Sequence, residues 1–165
     1  MRKLKRGLTL VELIIALVIS AILALAAAPY LGDYVANSRL REAGNTLLAQ
    51  TLLAQSEARS RNVPVRLSVA GNNIRLLDIS AGAPGVLLRE QTLAAPLAAA
   101  ADTNIDFGSD GRLRPLNPGD PVPAEVAVNL VLTGSNCSAD RRCPGLRVEA
   151  GGAIRLCGDT TQTCS

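Results

Sequence analysis

From Leu8 to Leu31 the chain is an apolar run interrupted by a single charge, Glu12. At about 1.5 Å per residue these 24 residues make a helix of roughly 36 Å, enough to cross a hydrocarbon core of about 30 Å with some tilt. Beyond Leu31 the pattern changes to one face in three or four: Leu40, Ala43, Leu47, Thr51, Ala54 and Ala58 recur at helical steps. Arg39, Arg41, Glu42, Gln50, Gln55, Glu57 and Arg59 fall mostly off that face, and Asn62 and Pro64 stop it. The spacing therefore predicts one continuous stalk of about fifty residues, apolar all round in its first half and amphipathic in its second. After Val63 the period shortens. Val63 to Val69 alternates, Gly71-Asn72-Asn73 supplies a turn, and Ile74 to Ile79 returns, as in a hairpin. Further strands are expected at Val86–Leu93, Asn104–Phe107, Arg112–Leu116, Val126–Leu132, Leu146–Glu149 and Ala153–Cys157, whereas the alanine-rich stretch Leu93–Ala101 reads equally as a short helix or a loop. A long helix followed by an antiparallel sheet packed on it is an α+β fold.

Arg2, Lys3, Lys5 and Arg6 precede the apolar run, which holds that end in the cytoplasm and sends the rest of the chain across. Glu12 is the anomaly. A carboxylate costs roughly 2.5 to 3.5 kcal/mol at the centre of a membrane helix and less near its end, but it needs a reason to be there. The string GLTLVEL resembles the type IV prepilin cleavage site. That resemblance implies a cut by a dedicated prepilin peptidase between Gly7 and Leu8, N-methylation of Leu8, and pairing of Glu12, then the fifth residue, with an N-terminal amine during filament assembly. A buried carboxylate is tolerable when an ammonium neutralises it. Pro29 becomes the twenty-second residue, where relatives also carry proline and the helix bends. Leu8 stands where phenylalanine is usual. An ordinary secretory signal would account for Ala24, Ala26, Ala27 and Ala28, but not for Glu12, and Pro29 would hinder a cut after Ala28. A plain membrane anchor leaves Glu12 incidental. The expected organisation is a leader at 1–7, a transmembrane and assembly helix at 8–31, its amphipathic continuation at 32–62, and a periplasmic β-rich domain at 63–165.

Charge and composition narrow the function. The net charge of +3 includes the four leader cations, so the mature side chains sum to −1 and offer no general attraction to nucleic acid. The sequence contains no histidine and no phosphate-cradling loop, so an enzyme is not expected, nor a cofactor. Asp102, Asp106, Asp110, Glu125 and Glu149 read as solvated charges rather than acid–base pairs. Cys137 and Cys143 enclose five residues, and Cys157 and Cys164 enclose six. An even count on an exported domain favours disulfides over zinc, and two local bridges are preferred among three possible pairings. In the chain-entropy model each such loop is worth roughly 2.5 kcal/mol.

The helix end LLAQSEARSRNVPVRLSV, the Ile105-Asp106-Phe107 segment before a glycine turn, and a final strand ending at a cysteine resemble the GspH/FimT group of minor pilins and pseudopilins. The resemblance implies a subunit at or near the tip of a type IV pilus or a type II secretion pseudopilus. Its partners would be other pilins, the prepilin peptidase and the inner-membrane assembly platform. The expected place is the bacterial inner membrane, single-pass, and then the filament; the cysteine-closed strand inclines the reading towards a pilus. Some FimT-like relatives bind DNA through a glycine, arginine, any residue, arginine motif near the C-terminus. Here that place reads Gly152-Ala153-Ile154-Arg155 and lacks the first arginine, while Gly111-Arg112-Leu113-Arg114 matches the string at an earlier turn. Arg112 and Arg114, alternating across Leu113, with Arg141, Arg142, Arg147 and Arg155, form the candidate phosphate contacts of that alternative. Tyr30 and Tyr34 both belong to the stalk, so base stacking has little to work with.

Overall fold

A computed structural model describes residues 9–82, 84–161 and 164, with the side chains of 27–30 left out. The chain divides into two compact units, Met1–Val35 and Ala36–Ser165. Helix α1 runs from Leu10 to Arg61. In the second unit its six predicted inward positions, Leu40, Ala43, Leu47, Thr51, Ala54 and Ala58, are all buried. The helix ends as its residues dictate. Asn62 takes a left-handed φ of 57°, and the Val63 amide returns to the Ala58 carbonyl at 3.2 Å, the longer bond of a Schellman cap. Arg59 and Arg61 place positive charge on the last turn, where the helix dipole favours it.

Among the described residues nine strands follow: β1 Val65–Ala70, β2 Asn73–Asp78, β3 Val86–Thr92, β4 Leu97–Ala99, β5 Thr103–Phe107, β6 Leu113–Arg114, β7 Glu125–Leu132, β8 Gly145–Glu149 and β9 Ile154–Cys157. They form two antiparallel sheets rather than one, in the orders β3-β2-β1-β5-β6 and β4-β7-β8-β9. The alanine-rich stretch is neither helix nor plain loop. Its residues Leu97–Ala99 pair with Leu130–Leu132 of β7, and Leu97 is buried, so sheet pairing and burial override alanine's helical preference. The expected strand at Arg112–Leu116 shrinks to two residues. Gly111, at a φ of 76°, still belongs to the preceding turn, and Pro115 has no amide to donate.

The core lies between α1 and the inner faces of both sheets, with Phe107, Leu67, Ile105, Leu130 and Leu146 fully buried beside Leu40 and Leu47. At Gly44 the helix surface comes so near Pro144 that a Cβ would stand 3.0 Å from the proline Cβ. Asp106 differs from the expectation of a solvated carboxylate. It is on β5, interior to the five-stranded sheet, 3% exposed, and bound at both oxygens by Arg66 across the ladder, Nε–Oδ1 and Nη2–Oδ2 each at 2.7 Å. Those hydrogen bonds raise the Arg66 pKa above its ordinary value.

Gln55 also departs from the predicted outer face. It is 8% exposed, and its amide donates to the carbonyls of Gly111 at 2.8 Å and Gly152 at 2.7 Å. Gly111 ends the β5–β6 turn of one sheet and Gly152 the β8–β9 turn of the other, so one side chain ties α1 to both. Leu113 adds a backbone bond between the sheets, its amide meeting the Ala150 carbonyl at 3.2 Å. Replacing Gln55 with alanine strands two carbonyls in a buried place and should cost about 2–3 kcal/mol in urea unfolding of the detergent-solubilised chain. A loss under about 0.5 kcal/mol, the range of ordinary surface changes, would remove Gln55 from this role.

Candidate assembly interface

The described part of the first unit is a helix with no apolar covering of its own. From Leu10 to Leu25 its large side chains, including Val11, Ile14, Leu17, Ile22 and Leu23, are between 51% and 78% exposed. Such a surface is stable only in lipid or against other apolar helices. Leu10–Ala26 alone is about 26 Å long, short of the roughly 30 Å hydrocarbon core. Among the described residues neither Leu10–Ala26 nor Leu31–Arg61, taken as a separate segment of α1, is long and apolar enough to cross a membrane; the two qualify only as a pair.

At the start of this helix Thr9 and Glu12 form a reciprocal capping box. The Thr9 amide and hydroxyl each donate to Glu12 Oε2 at 2.8 Å, and the Glu12 amide donates to Thr9 Oγ1 at 3.2 Å. The Thr-x-x-Glu spacing is the sequence signature of this cap, beside which the charge of Glu12 is the more conspicuous feature. Gly7 and Leu8 lie outside the described residues. Pro29 falls within α1, but its side chain is likewise outside them.

In the second unit the four cysteines form the bridges Cys137–Cys143 and Cys157–Cys164, with Cα separations of 5.6 and 5.4 Å. The first loop is fastened to the helix by Asn37, whose amide nitrogen donates to the Asp140 carbonyl at 2.7 Å while its oxygen accepts the Arg142 amide at 3.0 Å. Nothing in the local pattern distinguishes Asn37 from a solvated polar residue, because its partners lie more than a hundred residues away. The two bridged loops are joined by the Thr160 amide, 2.8 Å from the Cys143 carbonyl. Within the second loop the Thr161 amide and hydroxyl donate to Asp159 and hold its carboxyl below the usual range.

The candidate basic contacts separate. Arg112 and Arg114 line one open cavity of about 520 Å³ at the β5–β6 turn. Arg155, on β9, is instead paired with Glu149 at 2.5 Å, and Arg147 is held by Asn129 at 2.8 Å with Glu125 3.6 Å away. Neither Arg147 nor Arg155 lines that cavity.

A prokaryotic N-terminal methylation motif matches residues 2–28, and the family described as type II transport protein GspH matches residues 43–163; the chain belongs to that family. Two crystal structures of the type IV minor pilin FimU from Pseudomonas aeruginosa PAO1 share the fold. One has a TM-score of 0.56 at 23% identity, covering 72% of this chain and 88% of that one. The other has a TM-score of 0.53 at 22% identity, covering 70% and 90%. No curated protein matches. Family and motif together support a role in a type IV pilus or type II secretion system, with a membrane-anchored N-terminal helix and assembly alongside other pilins.

Asn37→Ala should release the Cys137–Cys143 loop without opening its bridge. Hydrogen exchange at the Arg142 amide is expected to accelerate about ten-fold, the equivalent of roughly 1.4 kcal/mol. Unchanged protection at Arg142 would show that the disulfide alone holds the loop.

Proposed function

We propose that this chain is a minor pilin or pseudopilin, made as a single-pass inner-membrane precursor with its sheet domain in the periplasm. Prepilin peptidase cuts it after Gly7 and methylates Leu8, and the inner-membrane platform moves it into a pilus or pseudopilus, where it helps to prime assembly with other minor subunits. The observation that carries this reading is the helix Leu10–Ala26, exposed and predominantly apolar on every side, whose single charge is a carboxylate at its first turn. While the chain is alone, Thr9 supplies Glu12 with two neutral donors. A neighbour's terminal ammonium would bind the same oxygens more strongly, because charge-assisted hydrogen bonds are roughly twice as strong as neutral ones. Glu12 thereby sets the axial register of one subunit on the next, and Pro29 lets the stalk adjust to its neighbours.

DNA capture has less support. Residues 36–165 carry thirteen basic and twelve acidic side chains, so no broad positive field draws a polyanion.

Mass spectrometry of the chain from native envelopes should find its first residue to be N-methylated Leu8. A chain intact at Met1, or trimmed near Ala28, overturns the proposal. Glu12→Ala is expected to be processed normally yet to be depleted about ten-fold or more from sheared filaments or the assembled pseudopilus, the effect of losing an ion pair worth at least 1.4 kcal/mol. Normal incorporation would remove Glu12 from the assembly step.

A further inference from the structure

We infer that the cavity at the β5–β6 turn is a docking socket for an acidic segment, flanked by apolar residues, of another pilin-like subunit; this rests on the filament reading above. Its wall includes Gly108, Ser109, Arg112, Leu113, Arg114 and Val122. Both guanidiniums have donors to spare. Arg114 stands opposite Asp106 in the β5–β6 register, but both oxygens of Asp106 are already bound by Arg66. Among the described residues Arg114 makes no ion pair. Arg112 has only Asp110, on the same wall, 3.8 Å from its Nε in an exposed contact, and that carboxylate also accepts the Arg112 amide at 3.0 Å to close the turn.

The socket is built rather than loose. The Gly108 amide meets the Arg112 carbonyl at 2.9 Å, the Gly111 amide meets the Gly108 carbonyl at 2.7 Å, Arg59 Nε donates to the Asp110 carbonyl at 3.3 Å, and Gln55 holds Gly111 from beneath. A preorganised site spends less binding energy on ordering itself. Apolar side chains stand beside the arginines: Val122 on this wall is 50% exposed, and Leu116, 47% exposed, lies with Arg114 on a second cavity of about 320 Å³. Arginine framed by exposed apolar side chains is the chemistry of protein interfaces. Nucleic acid fits less well. Phe107, the one aromatic residue in 36–165, is fully buried, which leaves no surface ring for a base to stack on.

The test uses the full chain in its native envelope with a photo-crosslinking benzoylphenylalanine at position 122. The expected product joins this chain to a peptide of another pilin-like subunit bearing Asp or Glu beside an apolar residue. Its yield should drop about ten-fold or more in the R112Q/R114Q double variant, the loss of two charge-assisted contacts. Limited proteolysis and intact disulfides confirm that this variant is folded. Arg112→Glu with Arg114→Glu should abolish the crosslink, and replacing the partner's acid with arginine should restore it. The socket is overturned by unchanged yield in the double glutamine variant, or by no pilin-like product. Retention of duplex DNA by the wild-type chain that disappears in the same variant would assign the site to nucleic acid and overturn it as well. Failure of the filament reading looks different: the wild-type chain is then missing from sheared filaments and pseudopili, whatever the crosslink shows.

Discussion

One face of α1 cannot be left to water, and the second unit is organised to cover it. Leu40, Ala43, Leu47, Thr51, Ala54 and Ala58 are small or branched residues along a single stripe, so strands can approach the helix closely and Phe107 can fill the remaining space. Two sheets share the work, and one side chain of the helix reaches a turn in each of them. Gln55 bonds one turn of each sheet, and Gly152 has to be glycine there because a Cβ would run into the Gly111 carbonyl and the Gln55 nitrogen. Two glycines and one glutamine thus meet where the two sheets turn.

Local pattern was enough for the elements whose partners are close in sequence. The helical stripe, the Asn62 stop and the hairpin across Gly71-Asn72 are all written in spacings of four residues or fewer. What escaped depends on distant partners. Gln55 reads as one more outward polar residue because its two acceptors lie 56 and 97 residues downstream. Asp106 reads as solvated unless β5 is known to lie inside the sheet, next to β1 and Arg66. The split into two sheets has the same origin: alternation marks a strand but says nothing about which strand it joins, and Leu97–Ala99 lacks even the alternation. At the start of α1 the reverse holds. The Thr9–Glu12 cap is entirely local, and its Thr-x-x-Glu spacing is readable in the sequence.

The two units divide the labour of a filament subunit. The first offers apolar surface with little sequence-specific shape, suited to packing among helices of its own kind. The second carries surface features of particular shape and charge: a disulfide loop fastened at Asn37 and an arginine-lined hollow at the β5–β6 turn. In the assembly proposed above, general cohesion and choice of neighbour would rest on different residues, so that a substitution in one unit would leave the other's contribution in place.

The joined disulfide loops carry a practical implication for handling the protein. Cys143 and Cys157 both border the β8–β9 ladder, where Gly145 pairs with Cys157, and the Thr160 amide stitches the last loop onto the first. Closure at this end therefore needs an oxidant, which the reducing cytosol withholds. Material harvested from that compartment would lack both bridges, leaving the Thr160 amide bond to hold the last loop, so the purified sample's provenance decides which molecule is on the bench.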